Sequence, residues 1–132
     1  MRKILYETEK LKIEHEWEDT FLINKSTNQI LLKDDFYGDP DCGLIDKNNK
    51  WAVIGGDHLT IWSQKSWKRI ENKDLKWIHS LKYVNDNIFR ILIDPWSEKP
   101  AIWEFNLKTF DYNKIRDFND YNGRLYQDQV TW

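Results

Sequence analysis

Short apolar runs separated by turn residues dominate the 132-residue chain. Leu11, Ile13 and His15 alternate with Lys12, Glu14 and Glu16, the period-two pattern of a strand with one wet face. Phe21-Leu22-Ile23, the turn residues Asn24-Lys25-Ser26-Thr27-Asn28 and Ile30-Leu31-Leu32 read as a hairpin. The most regular stretch follows: apolar segments at 44–45, 51–54, 59–62 and 67–70, with turns between them, make a four-stranded meander. Segments 77–84, 88–93 and 101–105 extend the pattern, and residues 106–109 turn into Phe110-Asp111-Tyr112. Helical periodicity is weak. Residues 71–82 are the best candidate for one short helix, but Trp77, His79 and Leu81 fit a strand equally well. Residues 113–132 are polar and aromatic and carry no clear period. The expectation is an all-β chain, one β domain over residues 1–132 with little helix and at least six antiparallel strands.

A repeat underlies the pattern. Segments 29–33, 59–63 and 101–106 read as the closing strands of three units, with Ile30, Ile61 and Trp103 equivalent at spacings of 31 and 42 residues. Trp51-Ala52-Val53-Ile54-Gly55-Gly56-Asp57-His58-Leu59-Thr60-Ile61-Trp62-Ser63 resembles the inner strands of a β-propeller blade of the WD type. The resemblance implies an antiparallel meander of three blade-like units. Three blades fall short of the four or more of a single-chain propeller, so a partial propeller, open sheets or completion by a second chain follows.

Composition narrows the function. Eight Trp, six Tyr and six Phe suit a pleated surface and also binding interfaces. A net charge of −2 and a pI near 5.9 lack the basic excess of a nucleic-acid binder, so no direct nucleic-acid partner is expected. Cys42 is the single cysteine, which rules out an intrachain disulfide and fits a reducing compartment. The N-terminal residues become charged too early for a signal-peptide core, and no apolar run approaches the roughly 20 residues of a membrane span. A cytoplasmic location without a membrane partner is expected. Fifteen lysines against five arginines, with abundant Asn and Ile, match the coding bias of an AT-rich bacterial genome.

The densest chemistry lies in one loop. Asp34, Asp35, Asp39, Asp41 and Asp46 put five carboxylates around Phe36 and Tyr37, and Gly38, Pro40 and Gly43 shape the backbone. Their spacing does not match an EF-hand and no glutamate closes the loop, so a calcium site is not expected. The seven residues Asp34, Asp35, Phe36, Tyr37, Asp39, Asp41 and Asp46 are the candidate partner-binding set. The plain alternative is that the aspartates are solvated turn residues.

Other constellations are weaker. His15, His58 and His79 with Cys42 show no zinc-ligand spacing. Cys42 beside Asp41 is a poor thiolate. Gly55-Gly56-Asp57 lacks the residues of a phosphate loop and reads as a turn. Asp94, Glu98 and Glu104 are candidates for glycoside chemistry only if folding pairs them. Trp62, Trp67, Trp77, Trp96 and Trp103 are candidates for a binding platform, with about half of all the Trp residues expected in the core. No nucleophile–base pair is visible, so no catalytic residue, metal or cofactor is assigned.

In size, charge and the acidic loop 34–46 beside an aromatic-rich unit, the chain resembles the small immunity proteins of bacterial contact-dependent and polymorphic toxin systems. That resemblance implies a cytoplasmic inhibitor that binds a cognate protein, a basic toxin domain, and blocks it. The alternative is a small-ligand or carbohydrate-binding β module using exposed Trp; a small hydrolase ranks third.

Overall fold

The computed structural model describes residues 2–64 and 66–132. They form an all-β architecture of twelve strands with a single 3-10 turn, Lys73–Leu75. The first sheet holds β1 (Lys3–Glu7), β2 (Leu11–Glu16), β3 (Asp19–Asn24) and β4 (Ile30–Asp35). The second holds β5 (Cys42–Ile45), β6 (Trp51–Gly55), β7 (Leu59–Ser63) and β8 (Ser66–Ile70). The third holds β9 (Ile78–Asn85), β10 (Ile88–Ile93), β11 (Ala101–Asn106) and β12 (Asp111–Asp117). Each sheet is an antiparallel meander in sequence order, and the three are open sheets rather than a closed barrel. Their first strands adjoin: β1 lies against β5, and β5 against β9.

The middle sheet explains the continuous apolar run at 51–55. Along β6, Ala52 and Ile54 face the first sheet, where they pack with Leu11, Ile13, Leu22 and Leu32. Trp51 and Val53 face the third sheet and pack with Phe89, Ile91 and Phe105. Every residue of β6 is buried. A strand covered on both faces gains nothing from alternation, so its sequence reads as unbroken hydrophobe. Strand β2 of the first sheet keeps the alternation, with Leu11 and Ile13 in the core and Lys12 and Glu14 between and after them. Trp51 stacks on Tyr83 with ring centroids 5.7 Å apart and donates its indole N–H to the Asp86 carbonyl at 2.8 Å. Its ring is therefore both buried and hydrogen-bonded, as a core Trp requires.

The second face of the third sheet is covered by the chain's own C-terminal segment. Leu92 and Ile102 pack against Phe118 and Tyr121, with Trp96, Val130 and Trp132 around them. Residues 118–132 thus act as a cap without regular structure, which is why they carry no period.

The repeat is real, but its register differs from the sequence reading. The strands equivalent to β7 and β11 are the third strands of their sheets, so β3 is their counterpart, not the strand holding Ile30. These third strands begin at residues 19, 59 and 101, an even spacing. Ile30-Leu31-Leu32 drew the assignment because it is as apolar as Phe21-Leu22-Ile23, yet it opens the edge strand β4. The helix considered over 71–82 is instead one 3-10 turn followed by β9.

Candidate partner-binding surface

The acidic loop divides into groups that hold the sheets together and groups that face solvent. Asp34 is 4% exposed and ties the first sheet to the second. Its carboxylate accepts from Thr60 Oγ1 at 2.6 Å, lies 2.9 Å from His58 Nε2, and pairs with Arg69 of β8. Thr60 and Arg69 stand opposite each other on β7 and β8, so both reach the same carboxylate. Burial alone would raise the Asp34 carboxyl. Hydrogen bonds from His58, Arg69, Thr60 and the Asp35 N–H outweigh it and hold the group far below the ordinary aspartate range.

Asp46 plays the matching part at the second seam. It is buried, accepts from the Lys50 N–H at 3.1 Å and lies 3.0 Å from the Tyr83 hydroxyl of β9. Phe36 is also buried, stacked on the His58 ring at 4.0 Å and nearly parallel to it. A Cβ at Gly56 would stand 2.8 Å from this ring, so the glycine is what lets it in. Three of the seven candidate residues, Asp34, Phe36 and Asp46, are therefore enclosed by the fold and present no surface to a partner. Asp41 is exposed, but it lines a separate cavity with Cys42 and His79.

The remaining members, Asp35, Tyr37 and Asp39, are exposed. The fold adds to them the two-residue turn between β2 and β3, Trp17-Glu18. The Glu18 carboxylate accepts from the Gly38 N–H at 2.7 Å, and the Glu18 carbonyl accepts from the Phe36 N–H at 3.1 Å. Asp57 holds the other side by accepting from the Tyr37 N–H at 3.0 Å. Turn and loop are thus one rigid ledge. Trp17 lines a small depression with His15 and Asp39. It is 78% exposed and Tyr37 is 77% exposed, the two most exposed aromatic rings on the ledge.

Two features of the ledge oppose stability. Trp17 has φ 54°, a left-handed backbone at a turn position that favours glycine. Asp19 faces Glu16 across β2–β3 and Asp35 across β3–β4, so three carboxylates form one row. Like charges directly opposite on adjacent strands repel. Arg69 relieves part of this by reaching Asp35 Oδ1 at 3.1 Å.

The sequence reading missed Trp17. Its only signal is an aromatic ring between two alternating runs, where a turn would ordinarily hold Asn or Gly.

The other constellations separate in space. His15, His58 and His79 belong to three different sheets or their connections, and no cluster of three or more His, Cys, Asp or Glu among the described residues has metal-binding geometry. Cys42 and His79 share a cavity, but burial and the Asp41 charge push the thiol far up, away from a thiolate. Glu104 pairs with Arg90 at 3.0 Å on the outer face of the third sheet. Asp94 and Glu98 instead line a cleft beside its inner face. Of the platform candidates, Trp62 is buried, Trp67 and Trp77 are exposed, and Trp96 and Trp103 are half-buried. No helix among the described residues is long and apolar enough to cross a membrane.

No protein-family model matches the chain, and a search of curated proteins finds no match.

Proposed function

We propose that the protein is a protein-binding inhibitor whose ledge of Trp17, Tyr37, Asp19, Asp35 and Asp39 docks into the basic cleft of a partner. The observation that carries this reading is the pairing of two largely exposed rings with a row of facing carboxylates on a rigid support. Aromatic side chains anchor interfaces because they bury a large area at little entropic cost. Carboxylates around them steer a cationic partner and become less mutually repulsive once it arrives. A partner that acts on nucleic acid needs a basic cleft to neutralise phosphates, and this ledge is complementary to one. In that setting the protein works as an immunity-type inhibitor, occupying the cleft and excluding the substrate.

The test is co-expression with the product of the gene immediately upstream, on the expectation that it is a secreted protein with a toxic C-terminal domain. Wild-type protein is expected to restore growth and to co-purify with the domain. Substitution of Trp17→Ala with Tyr37→Ala is expected to abolish both while leaving the folded chain soluble. Undiminished protection by that double variant contradicts the assignment.

A further inference from the structure

The crossing from the second to the third sheet leaves a cleft of about 500 Å³, apart from the ledge. That volume falls within the roughly 300–1,000 Å³ of small-ligand sites. One wall is the connection carrying Asp74, Lys76 and Trp77; the other is the end of β10, the loop after it and β11, with Glu98, Lys99 and Trp103.

Trp77 is held in its wall as a rigid plate. Its φ is 56°, a left-handed backbone that a bulky side chain does not favour by itself. Hydrogen bonds on both sides fix it: the Trp77 carbonyl accepts from the Asp94 N–H at 2.8 Å, and the Ile78 N–H donates to the Gly56 carbonyl at 2.8 Å. The indole is 50% exposed at the cleft and lies outside every core cluster. Among the described residues its ring stacks on no other ring and meets no cation, and its N–H has no acceptor. Trp103, half-buried and edge-on to Tyr112 with centroids 5.8 Å apart, gives the other wall an aromatic surface too.

The charges of the cleft balance. Lys73, Lys76 and Lys99 line it with Asp74, Asp94 and Glu98, and none of the six has an ion-pair partner among the described residues. An anionic ligand would meet three carboxylates along with the three ammonium groups. A zwitterion carries one charge of each sign and would leave most of the six unmatched. A sugar hydroxyl both donates and accepts, so a ring bearing several of them uses ammonium groups and carboxylates alike. The C–H face of such a ring is apolar and lies flat on an indole, which accounts for the exposed plate of Trp77.

We propose that this cleft binds a neutral sugar, presented as a short oligosaccharide, with one ring stacked on Trp77 and its hydroxyls shared among the ammonium groups and carboxylates around it. The site is separate from the ledge, so its failure would leave the inhibitor reading untouched.

The experiment is a titration of the whole chain, read by Trp fluorescence and calorimetry. The probes are the trisaccharides of glucose in α and in β linkage, of xylose and of N-acetylglucosamine, with AMP and phenylalanine as charged controls. Saturable binding of at least one trisaccharide is expected, at a Kd of about 1 mM or tighter, with a blue shift as the indole leaves water. Because the ligand is neutral, that Kd should move by less than about twofold as salt rises. Trp77→Gly should keep the urea midpoint, because glycine suits a positive φ, yet lose the shift and weaken binding by about tenfold or more. Glu98→Ala with Lys99→Ala, both exposed, should weaken binding by about tenfold. No saturable binding of any trisaccharide at tens of millimolar overturns the proposal, as does undiminished binding by Trp77→Gly. Tighter binding of AMP or phenylalanine than of every trisaccharide assigns the cleft a charged ligand and overturns it too, and so does a Kd that climbs steeply with salt.

Discussion

Asp19 and Asp35 stand directly opposite each other on adjacent antiparallel strands, at the end of the first sheet that carries Trp17. Nothing in the packing of the sheet requires this repulsion, because both side chains are exposed. Replacing Asp19 with Thr should therefore stabilise the isolated protein by a few tenths to about 1 kcal/mol, read as a higher urea midpoint. The same change should weaken partner binding. Opposite signs for stability and binding are what a surface kept for recognition gives.

Trp17→Gly separates strain from recognition in the same way. Glycine accommodates a φ of 54° without the left-handed penalty of about 1–2 kcal/mol, so thermal unfolding should hold steady or move upward. Loss of the exposed ring should cost the complex about 2 kcal/mol or more. A lower melting temperature of the free protein would show that Trp17 supports the fold.

Asp34 predicts the acid limb of stability. Its carboxyl is depressed in the folded state, so its contribution is fully present above the ordinary aspartate value of about 3.9 and is lost as pH falls below it toward the folded value. Urea midpoints should be flat between about pH 5 and 7 and drop below about pH 4. Asp34→Asn should cost about 1–3 kcal/mol at neutral pH and make the acid drop shallower. An unchanged acid profile in Asp34→Asn would remove Asp34 as its source.

Trp51→Ala should destabilise by about 3–5 kcal/mol in chemical denaturation, since it empties a buried site between the second and third sheets and strands the Asp86 carbonyl. A loss below about 1 kcal/mol would contradict the packing of that seam.

Much of the fold is legible in the sequence, and the exceptions have physical causes. The second sheet is clear because both of its faces are buried and its turns are rich in Gly, Asn and Asp. Trp51 and Ile61, in that most regular stretch, both face the core and are under 5% exposed. Strand β1 escapes notice because it is an edge strand, largely exposed. β4 is mistaken for a closing inner strand because edge and inner strands share an apolar period. The acidic loop announces itself through composition, but composition does not separate Asp34 and Asp46, which lock the seams, from Asp35 and Asp39, which face water. That distinction depends on His58, Thr60, Arg69 and Tyr83, which lie 24 to 37 positions away from the carboxylates they meet. Trp17 joins the ledge through its neighbour Glu18, whose bonds to the Phe36 and Gly38 N–H groups link residues far apart in the chain.

If carboxylates of the ledge steer a basic partner, the rate of association must depend on ionic strength, and that dependence is the decisive measurement. Wild-type protein should associate with the proposed basic partner domain at a rate that falls steeply as salt rises. Reversing Asp19→Lys and Asp39→Lys, both exposed, should leave the fold intact, slow association and flatten the salt dependence. An association rate and salt slope equal to those of the wild type in this double reversal would contradict the claim.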